Sequence, residues 1–109
     1  MVFRIPKKIN RKLKIHPKDI YHILFHLAEM LQSGFTLTQA LTILQEQESK
    51  TLIKKTLNHI KHLINCGYPL HKAVIAHLPL NSTYINLITL GEHTGKLEQV
   101  LFMIASYEK

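Results

Sequence analysis

The chain has 109 residues, of which 46% are apolar and 7% aromatic, and this composition excludes a fibrous or intrinsically disordered protein. Its single cysteine, Cys66, cannot form an internal disulfide, and this indicates a reducing compartment. We expect Cys66 to lie in the last turn of a helix. No apolar run approaches the roughly 20 residues that a membrane-spanning helix needs.

The net charge of +7 is concentrated in a basic N-terminal arm, which we place at residues 1–16. Half of the fourteen Lys and Arg residues precede Asp19, the first acidic residue. Because apolar residues are interleaved with these cations, the arm is predicted to lie on an anionic membrane surface, or to contact phosphates or an acidic protein face. A solvated, partly disordered arm is the alternative. Five of its cations are candidate partner-binding residues: Arg4, Lys7, Lys8, Arg11 and Lys12.

The remainder, residues 17–109, is predicted to be a helical domain. Pro17 suits a first turn, and the apolar stripe behind it has helical spacing, so we expect a first helix over residues 18–33. Thr36 and Gln39 fit a capping box, which predicts a second helix directly after Thr36.

A third helix is expected between Ser49, as its N-cap, and Gly67, since the apolar residues between them recur at helical spacing. A short fourth helix is predicted after Pro69, and Pro79 ends it. Both helices are thus bounded by residues that favour helix ends.

The fifth helix is predicted to start at Asn81 or Ser82 and to run to about Leu90. We expect residues 91–95, which begin and end with glycine, to form a turn. A sixth helix is predicted from near Lys96. It carries no stop signal before the end of the sequence, which suggests that the natural polypeptide continues.

Two segments, residues 33–41 and 66–74, match at an offset of 33 residues, and each is a glycine-aromatic turn between helices. The last two helices form a third and more diverged hairpin. The signatures of ankyrin and tetratricopeptide repeats are absent, and capped solenoids need three or more copies. We therefore predict an all-α fold, a six-helix bundle built from three helical hairpins.

Two pairs of histidines have a spacing that could bind a metal. His22 and His26 are four residues apart and His59 and His62 three apart, so each pair could place two imidazoles on one metal. No third ligand is evident, and ordinary surface histidines are the alternative. No phosphate-binding loop, nucleophile motif or acid–base pair is present, so we predict that the chain is not an enzyme and has no small-molecule substrate.

Three stretches, in this order and spacing, resemble the type II secretion system F-protein domain family. Residues 25–41 have its Leu-rich helix followed by Gly-Phe-Thr-Leu, and residues 79–88 are similar to its next segment. Residues 91–98 read Gly-Glu-His-Thr-Gly-Lys-Leu-Glu and match the family pattern Gly-Glu-x-Ser/Thr-Gly-x-Leu-Asp/Glu. The resemblance covers residues 18–109.

This resemblance implies a six-helix, non-catalytic domain on the cytoplasmic face of the bacterial cell membrane. It would be the first cytoplasmic domain of a multi-pass platform protein. Its partners would be an assembly ATPase and other inner-membrane components of a secretion, type IV pilus or competence machine. The short arm is similar to that of competence platform proteins. A homodimer is a further expectation, since the parent would hold a second copy of the fold.

The resemblance also assigns roles within the Gly-Glu motif. Glu92 and Glu98 match positions at which the family takes a divalent cation such as calcium. The acidic residue often found in the second helix is replaced by Thr38 and Gln39, which removes one expected ligand; no other cofactor is predicted. Four motif residues are candidates for binding partner proteins: Gly91, Glu92, Thr94 and Gly95.

The alternative hypothesis is a soluble, basic, helical module that binds nucleic acid or acts as an adaptor. The cationic arm favours it, because phosphate contacts need such charges. From Asp19 onward, however, the chain has seven basic and seven acidic residues, whereas a nucleic-acid footprint should mark one face of the domain.

Overall fold

The computed structural model describes residues 15–108, and these form six α-helices with no strand among them. The arm cations proposed to bind partners, up to Lys12, lie outside the described residues. The predicted all-α, six-helix fold is confirmed. The helices are α1 Pro17–Gln32, α2 Leu37–Gln47, α3 Thr51–Asn65, α4 Leu70–His77, α5 Ser82–Thr94 and α6 Leu97–Glu108.

The domain begins before its first helix. Ile15 is only 5% exposed and belongs to the hydrophobic core. His16 is the N-cap of α1, where its Nδ1 accepts the Lys18 backbone N–H at 3.3 Å, and Pro17 occupies the first turn as predicted. Residues 15 and 16, at the end of the predicted arm, therefore pack with the helices.

The N-caps of α2 and α3 can be compared with the predicted ones. At α2 the predicted capping box is confirmed: Gln39 N–H donates to Thr36 Oγ1 at 3.1 Å and Thr36 N–H donates to Gln39 Oε1 at 2.9 Å. The prediction that Ser49 caps α3 is wrong, since Lys50 is the N-cap and provides no side-chain cap. The Glu48 carboxylate accepts the Lys50 backbone N–H at 3.0 Å, which keeps this residue outside the helix.

The internal repeat is visible in the backbone. Gly34 and Gly67 follow α1 and α3 with φ of 100° and 99°. In both turns the next residue, Phe35 or Tyr68, donates its N–H to the carbonyl five residues earlier, at 3.0 and 3.1 Å. These are matching Schellman turns, so the two copies share one geometry.

The end of α5 differs from the prediction. Residues 91–94 continue the helix instead of forming a turn, and only Gly95, at φ 72°, adopts a left-handed conformation. The Lys96 N–H then donates to the Gly91 carbonyl at 2.9 Å. One left-handed residue is enough to end α5 and start α6.

The six helices are arranged as a closed ring. Each helix packs on its neighbour in the chain, and α6 returns to pack along α1. The α1–α6 and α2–α3 contacts are the most extensive, so the packing is consistent with three hairpins but does not single them out.

Short connections make neighbouring helices antiparallel. The starts of α1 and α3 meet where Lys50 Nζ lies 2.9 Å from Asp19 Oδ1. At the opposite end, Thr38 in the first turn of α2 donates to Asn65 Oδ1 at the end of α3, at 3.1 Å. We call this second end, with the turns after α1, α3 and α5, the glycine end. Its turns contain Gly34, Gly67 and Gly95.

The ring encloses one apolar core drawn from all six helices. The largest fully buried side chains include Leu24, Leu27, Leu41, Leu57, Ile60, Leu70, Ile88, Leu101 and Ile104.

None of the helices in residues 15–108 combines the length and apolar character needed to cross a bilayer.

Candidate functional site at the glycine end

Glu92 connects the last turn of α5 to the first turn of α4. Its Oε2 accepts the Leu70 backbone N–H at 2.6 Å, and its Oε1 accepts the His71 backbone N–H at 3.1 Å. The N-cap of α4 is Pro69, which makes no side-chain cap. Glu92 therefore caps α4 from the neighbouring helix, where its negative charge also suits the helix dipole.

The same carboxylate has a third partner. His71 Nδ1 lies 2.7 Å from Glu92 Oε1, and the two side chains are only 21% and 17% exposed. Both Glu92 oxygens are thus engaged by donors of the chain itself. This arrangement stabilises the junction between α4 and α5.

The calcium prediction rests on Glu92 and Glu98. Glu98 is half-buried in the first turn of α6. Across residues 15–108 no three His, Cys, Asp or Glu side chains come together as a group able to hold a metal ion. A divalent cation at these two glutamates stays a prediction.

Gly91 allows α5 and α6 to approach each other closely. It is buried, and a Cβ atom at this position would lie 2.9 Å from Val100 Cγ2 and 3.3 Å from Leu97 Cα. A side chain would meet the backbone of α6, so glycine is required here for packing rather than for a turn.

The four candidate partner-binding residues of the motif divide into two groups. Gly91 and Glu92 point into the domain, whereas Thr94 and Gly95 are exposed. The Thr94 hydroxyl donates to the Leu90 carbonyl at 2.9 Å. Any partner at this end would therefore meet the second half of the motif.

Two exposed aromatic residues at the glycine end were not predicted as site residues. Phe35 is 44% exposed and Tyr68 is 50% exposed, each directly after the glycine of its turn. The 33-residue repeat has an aromatic residue at this position in both copies. This repetition is the sequence signal that could have identified the two residues. Thr94 and Gly95, in the third turn of this end, are exposed as well.

The histidine pairs are placed differently. The His22 and His26 rings stack with centroids 5.7 Å apart, and His26 Nδ1 lies 2.9 Å from Glu29 Oε1. His59 instead faces His77 of α4, with ring centroids 5.1 Å apart. His59, one member of the possible pair with His62, thus contacts a histidine of the adjacent helix.

Cys66 is the C-cap of α3 and is exposed, not in the last helical turn as predicted. Its Sγ lies 3.7 Å from His62 Nε2. The turn after α3 places it at the surface because Gly67 follows at once with a left-handed backbone.

The charges of the folded domain are segregated although their sum is neutral. Residues 49–91 contain five lysines and four histidines but no acidic residue. On α3 and α4 five of these side chains form what we call the basic face. Its members are Lys54, Lys55, His59, His62 and Lys72.

Comparison with known proteins decides the family. Residues 23–108 match the family model described as type II secretion system (T2SS), protein F. The chain belongs to the protein F family. The resemblance inferred from its sequence motifs is thereby confirmed, and the glycine end carries the motif of a protein F domain.

This protein F domain is similar to three longer proteins. It is 32% identical over 90 residues to the type IV pilus assembly protein PilC of Thermus thermophilus, covering 83% of this chain and 22% of that protein. It is 29% identical over 97 residues to TapC of Aeromonas hydrophila, also a type IV pilus assembly protein, covering 88% and 24%. It is 30% identical over 91 residues to the protein transport protein HofC homolog of Escherichia coli, covering 80% and 22%. The chain spans about a quarter of the length of these relatives.

Proposed function

We propose that this protein F domain is a non-catalytic, cytoplasm-facing part of a membrane platform protein. The platform would couple an assembly ATPase to the assembly of a pilus or pseudopilus, or to protein secretion. The observation that carries the proposal is the family match over residues 23–108, together with relatives named as type IV pilus assembly proteins. Since the chain spans about a quarter of those relatives, the rest of the platform would anchor it in the membrane.

The geometry of the motif supports a docking role rather than catalysis. A general acid or base needs a group that can reach a substrate. Glu92 instead accepts two backbone N–H groups of α4 and contacts His71. We propose that it holds the glycine end rigid, so that the exposed residues around it meet a protein partner in a fixed arrangement.

The exposed aromatics of the glycine end are the proposed contact with the ATPase. Exposed Phe35 and Tyr68 offer large, rigid contact areas, and aromatic residues are enriched at protein interfaces. Thr94 and Gly95 lie at the same end. Of the machines that use such a platform, competence DNA uptake is the one we propose.

A capture experiment tests this role. The purified chain is immobilised and offered the purified assembly ATPase of its own organism. We expect the unchanged chain to retain the ATPase and the Phe35→Ala/Tyr68→Ala variant to bind at least tenfold more weakly, since interface aromatics are often energetic hot spots. Tyr107→Ala is the matched control, because Tyr107 is 66% exposed at the opposite end of the bundle. If the unchanged chain retains no ATPase, the coupling role is wrong.

Two further partners belong to the same proposal. The arm cations, Lys7 and Lys8 among them, would lie on the anionic surface of the membrane.

The isolated chain would form a homodimer, since oligomers most often use one surface twice. Analytical sedimentation at high concentration checks this, and a single monomeric species would refute it.

A nucleic-acid-binding module is the second candidate function. The basic face favours it, because it marks one side of the domain as a nucleic-acid footprint should. Binding of duplex DNA measured across salt concentrations discriminates, since each phosphate contact steepens the salt dependence. Tight binding with a steep slope, and no ATPase capture, would favour this candidate.

A further inference from the structure

The basic face is distinctive because nothing in the described part of the chain neutralises it. The exposed Lys54, Lys55 and Lys72 form no ion pair within residues 15–108. The exposed Lys50, by contrast, pairs with Asp19 at 2.9 Å. The uncompensated charge therefore lies on the outer sides of α3 and α4.

The two helices that carry this charge are neighbours in the fold. They pack side by side, and the His59 and His77 rings meet across the contact with centroids 5.1 Å apart. Lys55 precedes His59 by one helical turn, and Lys72 lies on the adjacent α4. Exposed cations thus lie on two helices that pack against each other.

Large apolar side chains are exposed on α4 and on its neighbour α5. Ile75 on α4 is 55% exposed and Leu90 on the adjacent α5 is 57% exposed. Ile75 follows Lys72 by three residues, so both lie on the outer side of α4. A surface that combines lysines with aliphatic side chains suits the boundary between lipid headgroups and acyl chains.

We propose that the basic face docks on anionic phospholipid headgroups, holding the folded domain flat against the membrane. Lys54, Lys55 and Lys72 contact phosphates, and Ile75 and Leu90 enter the headgroup layer. The proposal rests on the proposed platform role only in placing the domain near a membrane. It assigns that contact to the folded domain as well as to the arm.

Lipid is favoured over duplex DNA by the aliphatic side chains. Phosphate contacts alone would account for the lysines in either case. Ile75 and Leu90 gain nothing from a phosphate backbone, whereas burial in the headgroup and acyl boundary removes them from water. The two ligands therefore differ in whether the aliphatic residues contribute to binding.

Vesicle co-sedimentation of the 109-residue chain tests the proposal. The vesicles are phosphatidylcholine alone, or phosphatidylcholine with phosphatidylglycerol as the minor component. We expect binding only to the second kind, weakened by added salt. The variant Lys54→Gln/Lys55→Gln/Lys72→Gln should bind at least tenfold more weakly, and replacing the same three residues by Arg should keep the affinity of the unchanged chain.

An arm variant with the same change in charge, Lys7→Gln/Lys8→Gln/Lys12→Gln, is the matched control. It should bind anionic vesicles more tightly than the basic-face variant does. If the basic-face variant binds like the unchanged chain while the arm variant loses binding, the arm alone contacts lipid and the proposal is wrong. Circular dichroism confirms that each variant keeps its helices.

Ile75→Ser separates lipid from nucleic acid. We expect it to weaken vesicle binding at least threefold and to leave duplex DNA binding unchanged. If the basic-face variant loses DNA binding but keeps vesicle binding, the surface is a nucleic-acid site and the lipid proposal fails. The experiment contains no ATPase, so its failure and failure of the proposed coupling role are observed separately.

Discussion

At the scale of single residues, Glu92 shows how a motif residue can serve the fold. Replacing Glu92 by Ala removes the acceptor for two backbone N–H groups at the start of α4 and for the His71 ring. We expect the free energy of unfolding to fall by about 2 kcal/mol, because hydrogen bonds to charged groups are strong and half-buried donors would be left unpaired. Urea denaturation followed by circular dichroism measures this.

Glu46→Ala is the control for that experiment. Glu46 is exposed near the end of α2, and we expect a change within about 0.5 kcal/mol. A Glu92→Ala variant that keeps full stability but no longer captures the ATPase would contradict the structural role. It would make Glu92 a docking residue instead.

The two glycines of the motif should respond to alanine for different reasons. At Gly91 the new Cβ would meet Val100 Cγ2 at 2.9 Å, so we expect Gly91→Ala to cost about 1 to 3 kcal/mol by forcing α5 and α6 apart. At Gly95 an added Cβ would meet no other part of the domain within 4 Å, but φ is +72°. Gly95→Ala should therefore cost about 1 kcal/mol from backbone strain.

A double-mutant cycle distinguishes the two causes. Adding Val100→Ala removes the methyl group that Gly91→Ala would strike, so the two changes together should cost less than their sum. Val100→Ala with Gly95→Ala should be additive. Equal coupling in both cycles would show that Gly91 is not a packing residue. Unfolding free energies of the single and double variants provide the comparison.

The motif residues themselves could be read from the sequence, but their orientation could not. The pattern of residues 91–98 identified Gly91 and Glu92 as candidates. It could not show that both point inward, because that depends on α4 and α6, which meet them only in the folded ring. Gly91 was predicted to lie in a turn because the sequence near it does not show that α6 packs closely against this position.

At the scale of helices, the two-residue capping box was correct, whereas single-residue cap signals were correct for Asn81 at α5 and wrong for Ser49 at α3. The capping box of α2 uses two residues three apart, and the structure contains both of its hydrogen bonds. Ser49 offered a single hydroxyl, and Glu48 together with Lys50 set the start of α3 instead. A signal that needs two residues in register is harder to match by chance.

This difference predicts the effect of two conservative changes. Thr36→Ala should lower the unfolding free energy by about 1 kcal/mol, because the Gln39 N–H loses its acceptor. Ser49→Ala should change it by less than about 0.5 kcal/mol, since α3 is not capped there. Thermal and urea unfolding of both variants test this pair, and equal losses would show that Ser49 also caps.

At the scale of the whole molecule, the sequence contains an acid-free run over residues 49–91 but does not show which helices this run brings together. From Asp19 onward the chain is formally neutral, so the net charge of the sequence lies in the arm. The ring places the acid-free residues 49–91 on the adjacent helices α3, α4 and α5, while the acidic residues lie on α1, at the end of α2, in the last turn of α5 and on α6. Helix adjacency, which no local pattern encodes, turns a neutral sum into a polarised surface.

Because α6 closes the ring by packing on α1, removing α6 should lower the stability far more than removing the N-terminal arm. A chain ending at Lys96 would lose α6 and expose the apolar face of α1, including fully buried Leu24 and Leu27. Burying one such side chain is worth about 1.5 to 3 kcal/mol, so exposing several exceeds the stability of a small domain. We expect this truncation to abolish cooperative unfolding in urea.

Deletions at the other end locate the boundary of the domain. Removing residues 1–14 should leave the unfolding free energy within about 0.5 kcal/mol, if the arm contributes charge rather than packing. Removing residues 1–16 also deletes Ile15, which is 5% exposed, and the His16 cap of α1. That loss should cost about 2 to 4 kcal/mol, from the buried side chain and the cap together. If both deletions cost the same, the boundary lies elsewhere than at Ile15.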